Sequence, residues 1–147
     1  MPSITPAEAI TLHEGIPSDR PQCLTGPGTG LGLGYLINTP NGTHVQRTHG
    51  GHMLASAATD QQRGIIKAIE KKLGAAVVFE HLLSGPGLYN IYCALHDLAG
   101  QTATASAPEE ILDDLDNPLT REATTHFTEF LGLHARNAVI TGHAYGG

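Results

Sequence analysis

The sequence predicts an α/β domain in which short antiparallel β-strands come first and several helices follow. Three observations carry that prediction. Turn dipeptides and β-prone runs crowd residues 22–47, and from Thr59 onward apolar residues recur at helical spacing behind capping residues. The chain has 147 residues, 40% of them hydrophobic and 15% charged, which suffices for one packed core and excludes a disordered polymer. Eight Lys and Arg against fourteen Asp and Glu give a net charge of −6, so no basic stripe for a nucleic-acid backbone is expected.

Residues 1–20 carry Pro2, Pro6, Gly15 and Pro17 among short polar stretches and read as an irregular lead-in. Gln22 to Thr25 predicts a short strand, the run from Gly26 to Gly32 a glycine-rich corner, and Leu33 to Asn38 a second strand. Asn41-Gly42 is a hairpin signal, and Thr43 to Arg47 returns as a third strand.

Thr59 followed by Gln62 is a capping box, and Ile65, Ile66, Ile69 and Leu73 share one face of a helix closed by Gly74. A short apolar stretch, Ala75 to Leu83, precedes a second helix whose stripe is Leu88, Ile91, Tyr92, Leu95 and Leu98. Ser106 with Glu109 predicts another capping box, opening a short acidic helix over 109–115. Asn117-Pro118 reads as an N-cap with proline at the first helical position, ahead of a long helix with Leu119, Ala123, Phe127, Phe130 and Leu131 inward. Ala138 to Thr141 is strand-like.

No apolar run approaches the roughly 18 residues needed to cross a bilayer, and MPSITPAEAI lacks the basic and apolar regions of a signal peptide. Cys23 and Cys93 stand in no ligand-like spacing and read as thiols of a reducing cytosol, with a single disulfide left open. A soluble, cytoplasmic protein is expected.

Three groups of residues carry chemistry. Gly26, Gly28, Gly30 and Gly32 can turn bare backbone amides toward an anion, with the Thr29 hydroxyl beside them, and phosphate is the natural ligand. The run has neither GxGxxG in register nor a P-loop lysine, so dinucleotide and Walker-type sites are not expected; a plain glycine-rich corner is the alternative. His49-Gly50-Gly51-His52 places two imidazoles around a double glycine, where a ligand can approach the chain; a metal site there would need further ligands, and none is assigned. Glu80, flanked by Val77, Val78, Phe79, Leu82 and Leu83, is a partly buried acid if its segment packs and a solvent-facing one if it does not.

Together, GPGTGLGLGYLI, RTHGGH and FEHLLSGPGLYNIY resemble the bacterial glucokinase family, ATP-dependent hexose kinases of the sugar kinase, actin and Hsp70 superfamily. The first looks like that family's second phosphate motif, the second like its SEGGH or GEGGH sugar segment, and the third like its ERVLSGPGLVNIY type of sequence, all in the family's order from about Pro21 onward. The resemblance implies part of an actin-like (ribonuclease H-like) ATPase domain over 21–147, cut before its last segments. It implies the reaction of ATP and D-glucose to ADP and glucose 6-phosphate with Mg2+. Gly28, Thr29 and Gly30 would then lie at the ATP phosphates, and His52 and Glu80 would hydrogen-bond sugar hydroxyls.

Two departures matter. His49 stands where the family has a sugar-binding glutamate, which removes a charged acceptor. The family's N-terminal half, with its DxGxT-like motif and the aspartate that serves as general base, has no counterpart here, so no catalytic residue is assigned and little activity is expected of these 147 residues alone. Asp113, Asp114 and Asp116 read as a solvated acidic face, not as substitutes. A non-catalytic sugar- or nucleotide-binding remnant or regulator is the alternative. Unpaired sheet edges make a homodimer a further expectation.

Overall fold

A computed structural model describes residues 6–16 and 18–146. Residues 1–5 and Pro17 of the lead-in, and Gly147 at the end of the closing glycine pair, lie outside the described residues. Of the lead-in that is described, Pro6–Glu8 forms a 3-10 turn.

Three antiparallel strands form one sheet in the order β1-β2-β3: β1 (Gln22–Pro27), β2 (Leu31–Thr39) and β3 (Gly42–Thr48). Pro27 pairs with Leu31, so the hairpin corner contains only Gly28, Thr29 and Gly30, and Gly26 and Gly32 become opposed strand residues. Thr39 pairs with Gly42 across Pro40-Asn41, and Gly42 takes φ +114°, a value its missing Cβ makes accessible. Alternate residues of β2 face the helices, and Leu31 and Leu33 are buried there.

Helix α1 (Asp60–Leu73) starts on the expected capping box, with both reciprocal bonds between Thr59 and Gln62 formed, and ends on Gly74 at φ +67°. The apolar stretch after it makes a single bridge, Val78 to Leu54, and a 3-10 turn, Phe79–His81. Helix α2 (Gly85–Leu98) begins earlier than its apolar stripe indicates. Ser84 caps it by accepting the Gly87 amide at 3.0 Å, Pro86 sits in its first turn, and Gly87 lies against the Leu82 backbone, where a Cβ would be 2.4 Å from the carbonyl carbon.

The expected Ser106 box does not form. Helix α3 (Pro108–Asp113) has Ala107 as its N-cap, because Pro108 occupies the first turn and holds the residue before it extended. The Ser106 amide and hydroxyl instead bond the Glu110 carboxylate at 2.7 and 3.0 Å, which holds that carboxyl below its usual range. Helix α4 (Pro118–Gly142) opens on Asn117, whose side chain accepts the Leu119 amide at 3.0 Å.

The strand expected over Ala138 to Thr141 is the last turn of α4. Its buried stripe continues through His126, Phe130, His134 and Ala138, and this packing overrides the β-preference of Val139, Ile140 and Thr141. The helix stops at His143, which takes φ +48°.

Helix α2 is central and packs on α1, α3 and α4. The core is built from Ile65 and Ile69, Phe79, Leu82 and Leu83, Ile91 and Tyr92, Ile111, and Ala123 and Phe130, with Leu31 joining it from the sheet. Each such large side chain contributes about 1.5–3 kcal/mol by leaving water. Among the described residues no helix is long and apolar enough to cross a membrane. Cys23 and Cys93 are both free thiols.

Candidate functional site

The head of β2 is where the sequence motifs meet. The Leu31 amide donates to Glu80 Oε2 at 2.9 Å, so the half-buried acid is held at the glycine corner. That contact also explains one glycine. A Cβ on Gly30 would lie 2.7 Å from the same Glu80 oxygen, so a side chain and the carboxylate cannot share the space.

The corner is docked as well as folded. The Gly28 amide donates to the Gly30 carbonyl at 2.8 Å, and the Gly28 carbonyl accepts the Gly85 amide at 2.9 Å. Ser84, which caps α2, also donates its hydroxyl to the Glu80 carbonyl at 2.9 Å. Loop, acid and the start of α2 therefore form one hydrogen-bonded unit. The consequence differs from a row of outward amides. Gly28 spends its N–H within the corner and Leu31 gives its own to Glu80, so among the described residues the Thr29 and Gly30 amides have no hydrogen-bond partner, and Thr29 is exposed beside them.

In the His49-Gly50-Gly51-His52 segment, Gly50–His52 form a 3-10 turn that packs on the same strand and against the 3-10 turn carrying Glu80. The Thr48 hydroxyl donates to the Leu33 carbonyl at 3.1 Å and accepts the Gly50 amide at 3.0 Å. Both glycines lie close to the strand: a Cβ would be 2.0 Å from the Leu33 side-chain Cδ2 at Gly50, and 2.5 Å from the Leu31 carbonyl oxygen, a backbone atom, at Gly51. The Leu31 peptide thus touches Glu80 through its amide and the double glycine through its carbonyl.

His49 and His52 are exposed, with ring centroids 6.1 Å apart and edge to face. Two backbone bonds, Phe79 amide to Met53 carbonyl at 3.0 Å and Ala55 amide to Val77 carbonyl at 2.9 Å, draw the chain after His52 alongside the chain before Glu80. Among the described residues no group of three or more His, Cys, Asp or Glu could hold a metal ion. Asp113, Asp114 and Asp116 are exposed.

Beside Gly28 opens a cavity of about 390 Å³ that sequence reading did not single out. Leu88, Leu112 and Phe127 give it an apolar lining, and Gly28 and Gly85 form its rim. Its residues come from four segments, and only Leu88 and Phe127 stood out in a periodic pattern.

A family model described as Glucokinase matches residues 1–147, the whole chain. The chain belongs to the glucokinase family. A glucokinase of Marinobacter nauticus is 34% identical over 152 residues, covering 100% of this chain and 47% of that protein. One of Paramagnetospirillum magneticum is 34% identical over 98% of this chain and 46% of its own length. The chain therefore spans about half the length of the curated glucokinases it matches. The crystal structure of a glucokinase from an Antarctic psychrotroph superposes with a TM-score of 0.90 at 25% identity, over 99% of this chain and 46% of that one. The Balamuthia mandrillaris glucokinase, solved in complex with glucose, shares the fold at a TM-score of 0.74 and 24% identity, over 84% and 37% of the two chains. The α/β architecture expected from the sequence is thus the glucokinase fold.

Proposed function

We propose that this chain carries the phosphate-binding corner and part of the hexose site of an ATP-dependent glucokinase. The Glu80 carboxylate bound to the Leu31 amide is the observation that carries the reading, because one residue then links the glycine corner to the sugar side. The Thr29 and Gly30 amides and the Thr29 hydroxyl would meet ATP phosphates, whose negative charge suits unpaired backbone donors. Glu80 would accept from sugar hydroxyls and His52 would donate or accept beside it, a pairing that rejects analogues lacking the hydroxyl. His49 would meet the sugar as an imidazole where the family pattern has an acid.

Magnesium would arrive on the nucleotide, whose phosphates supply oxygen ligands for it. We place the general base outside the residues assembled here and keep 21–147 as the domain. In a coupled assay with ATP, magnesium and glucose, the purified 147-residue chain should then turn over at or near background. Robust turnover would overturn the assignment of the base elsewhere. Calorimetric titration with glucose should still show saturable binding that depends on Glu80, and none would overturn the sugar assignment.

A further inference from the structure

A smaller cavity, of about 180 Å³, shares no lining residue with the glycine corner, the histidine segment or the space beside Gly28. It opens where α2, the linker before α3, α3 and the start of α4 converge. Five oxygen-bearing side chains line it: Tyr92, Thr104, Glu110, Asp114 and Thr120. Its floor is buried, with Tyr92 and Thr120 at 2% and 1% exposure, and its acids are exposed.

The hydroxyls of Tyr92 and Thr104 satisfy each other across 3.0 Å. Thr120 is different. Farther along the same helix, Thr124 and Thr128 donate their hydroxyls to carbonyls one turn back, but the Thr120 hydroxyl takes part in no hydrogen bond among the described residues and opens onto the cavity. Whatever fills the space must therefore meet that oxygen, because a polar group so deep in the fold costs free energy without a partner.

Charge decides the sign of the occupant. Neither Glu110 nor Asp114 is in an ion pair with a Lys, Arg or His among the described residues. Ser106 bonds both Glu110 oxygens, which keep further lone pairs, and the Asp114 carboxylate accepts no hydrogen bond among the described residues. The amides that open α4 add about half a positive charge, which two carboxylates outweigh.

We propose that this cavity is a binding site for a hard divalent cation of the calcium kind. Asp114 and Glu110 supply the charge, and the Thr120 oxygen and water complete the shell. Calcium accepts about six to eight oxygens in loose geometry, neutral ones included, where magnesium demands a strict octahedron. Two carboxylates make the site weak, with a dissociation constant on the order of 10⁻⁴–10⁻³ M. The bound ion would tie α3 to the first turn of α4.

The test is thermal melting of the 147-residue chain in calcium chloride, magnesium chloride and sodium chloride at matched ionic strength. Calcium at about ten times its dissociation constant should raise the melting temperature by about 3–6 °C over sodium, and magnesium by less. Asp114→Asn should abolish the shift. Thr120→Val should shrink it, yet without calcium melt no lower than the parent, since a methyl replaces an unpaired hydroxyl; a smaller shift there reports lost binding and not a lost fold. No calcium shift beyond that of sodium, or a shift that both variants retain in full, would overturn the site. A magnesium shift as large as that of calcium would overturn the calcium-type assignment.

Discussion

Glu80 and Leu31, forty-nine residues apart, are joined by a 2.9 Å bond from backbone amide to carboxylate. The bond gives the acid two tasks that substitution can separate. In Glu80→Gln the side-chain oxygen still accepts the Leu31 amide, so melting should change little while hexose affinity falls by about ten- to a hundredfold, the worth of a charged hydrogen bond. Glu80→Ala should lose affinity and also lower stability by about 1–2 kcal/mol, because the corner loses its anchor. Calorimetry and thermal melting on both variants read the two effects apart.

Gly30 and Gly51 are both too close to a neighbour for a side chain, but the neighbours differ. At Gly30 the obstacle is the flexible end of Glu80; at Gly51 it is the Leu31 carbonyl, which cannot swing away. Gly30→Ala is expected to displace the carboxylate and reduce ligand affinity with a small change in melting. Gly51→Ala is expected to cost about 1–3 kcal/mol of stability through backbone displacement. Urea midpoints for the two variants should therefore diverge while both lose binding.

His134 is fully buried, tilted against Phe79 with centroids 5.0 Å apart, and neither ring nitrogen has a hydrogen-bond partner among the described residues. Burial pushes its pKa down from the ordinary imidazole value. As pH falls below about 6.5 the unfolded chain takes up a proton there that the native chain refuses, so this residue makes stability rise with pH across that window and level off above it. His134→Leu should flatten that part of the melting profile between about pH 5 and pH 7 relative to the parent, and be at least as stable at the upper end. An unchanged slope would show that another group controls it.

Gln62 holds two elements at once. Its carbonyl oxygen accepts the amides of Ala58 and Thr59 at 2.7 and 3.3 Å, and its amide nitrogen donates to Glu129 Oε2 at 2.8 Å, the oxygen that His126 also meets at 3.0 Å. Gln62→Ala should cost about 2 kcal/mol, combining a lost cap with a broken tie from α1 to α4. Gln62→Glu keeps the cap but sets a second carboxylate against Glu129, and its penalty should shrink as pH falls. Denaturant titrations at two pH values distinguish these outcomes.

Much of this architecture was legible because local chemistry and final packing agree. Thr59 with Gln62, Asn117 with Pro118 and Asn41-Gly42 each satisfy backbone groups within a few residues, so their signals survive folding. Where packing decided, the local signal misled: Val139, Ile140 and Thr141 are β-prone but ride a helix whose buried face is set by His134 and Ala138. Ser106 lost its cap because proline two residues later moved the helix start. In the candidate site, Glu80 and the two glycine segments stood out by type and spacing. The Leu31 peptide that joins them could not, since a backbone amide has no identity in the sequence. The cavity beside Gly28 was hidden because its lining is gathered from four separate segments, which only folding brings together.

The end of the described chain lies against β1. The Gly146 amide donates to the Pro21 carbonyl at 3.1 Å, the Gln22 side chain returns a bond to the Gly146 carbonyl at 2.9 Å, and Ser18 reaches the Tyr145 carbonyl across 127 residues. Contacts so remote along the chain close a loop of nearly all its residues, and they repay that entropy only once the helices between them have already shortened the path. This clasp is therefore expected to form last in folding and to open first. Hydrogen exchange should find the Gly146 amide released well below the global unfolding free energy, while the amides of Ile65 and Ile91 hold until the whole domain melts.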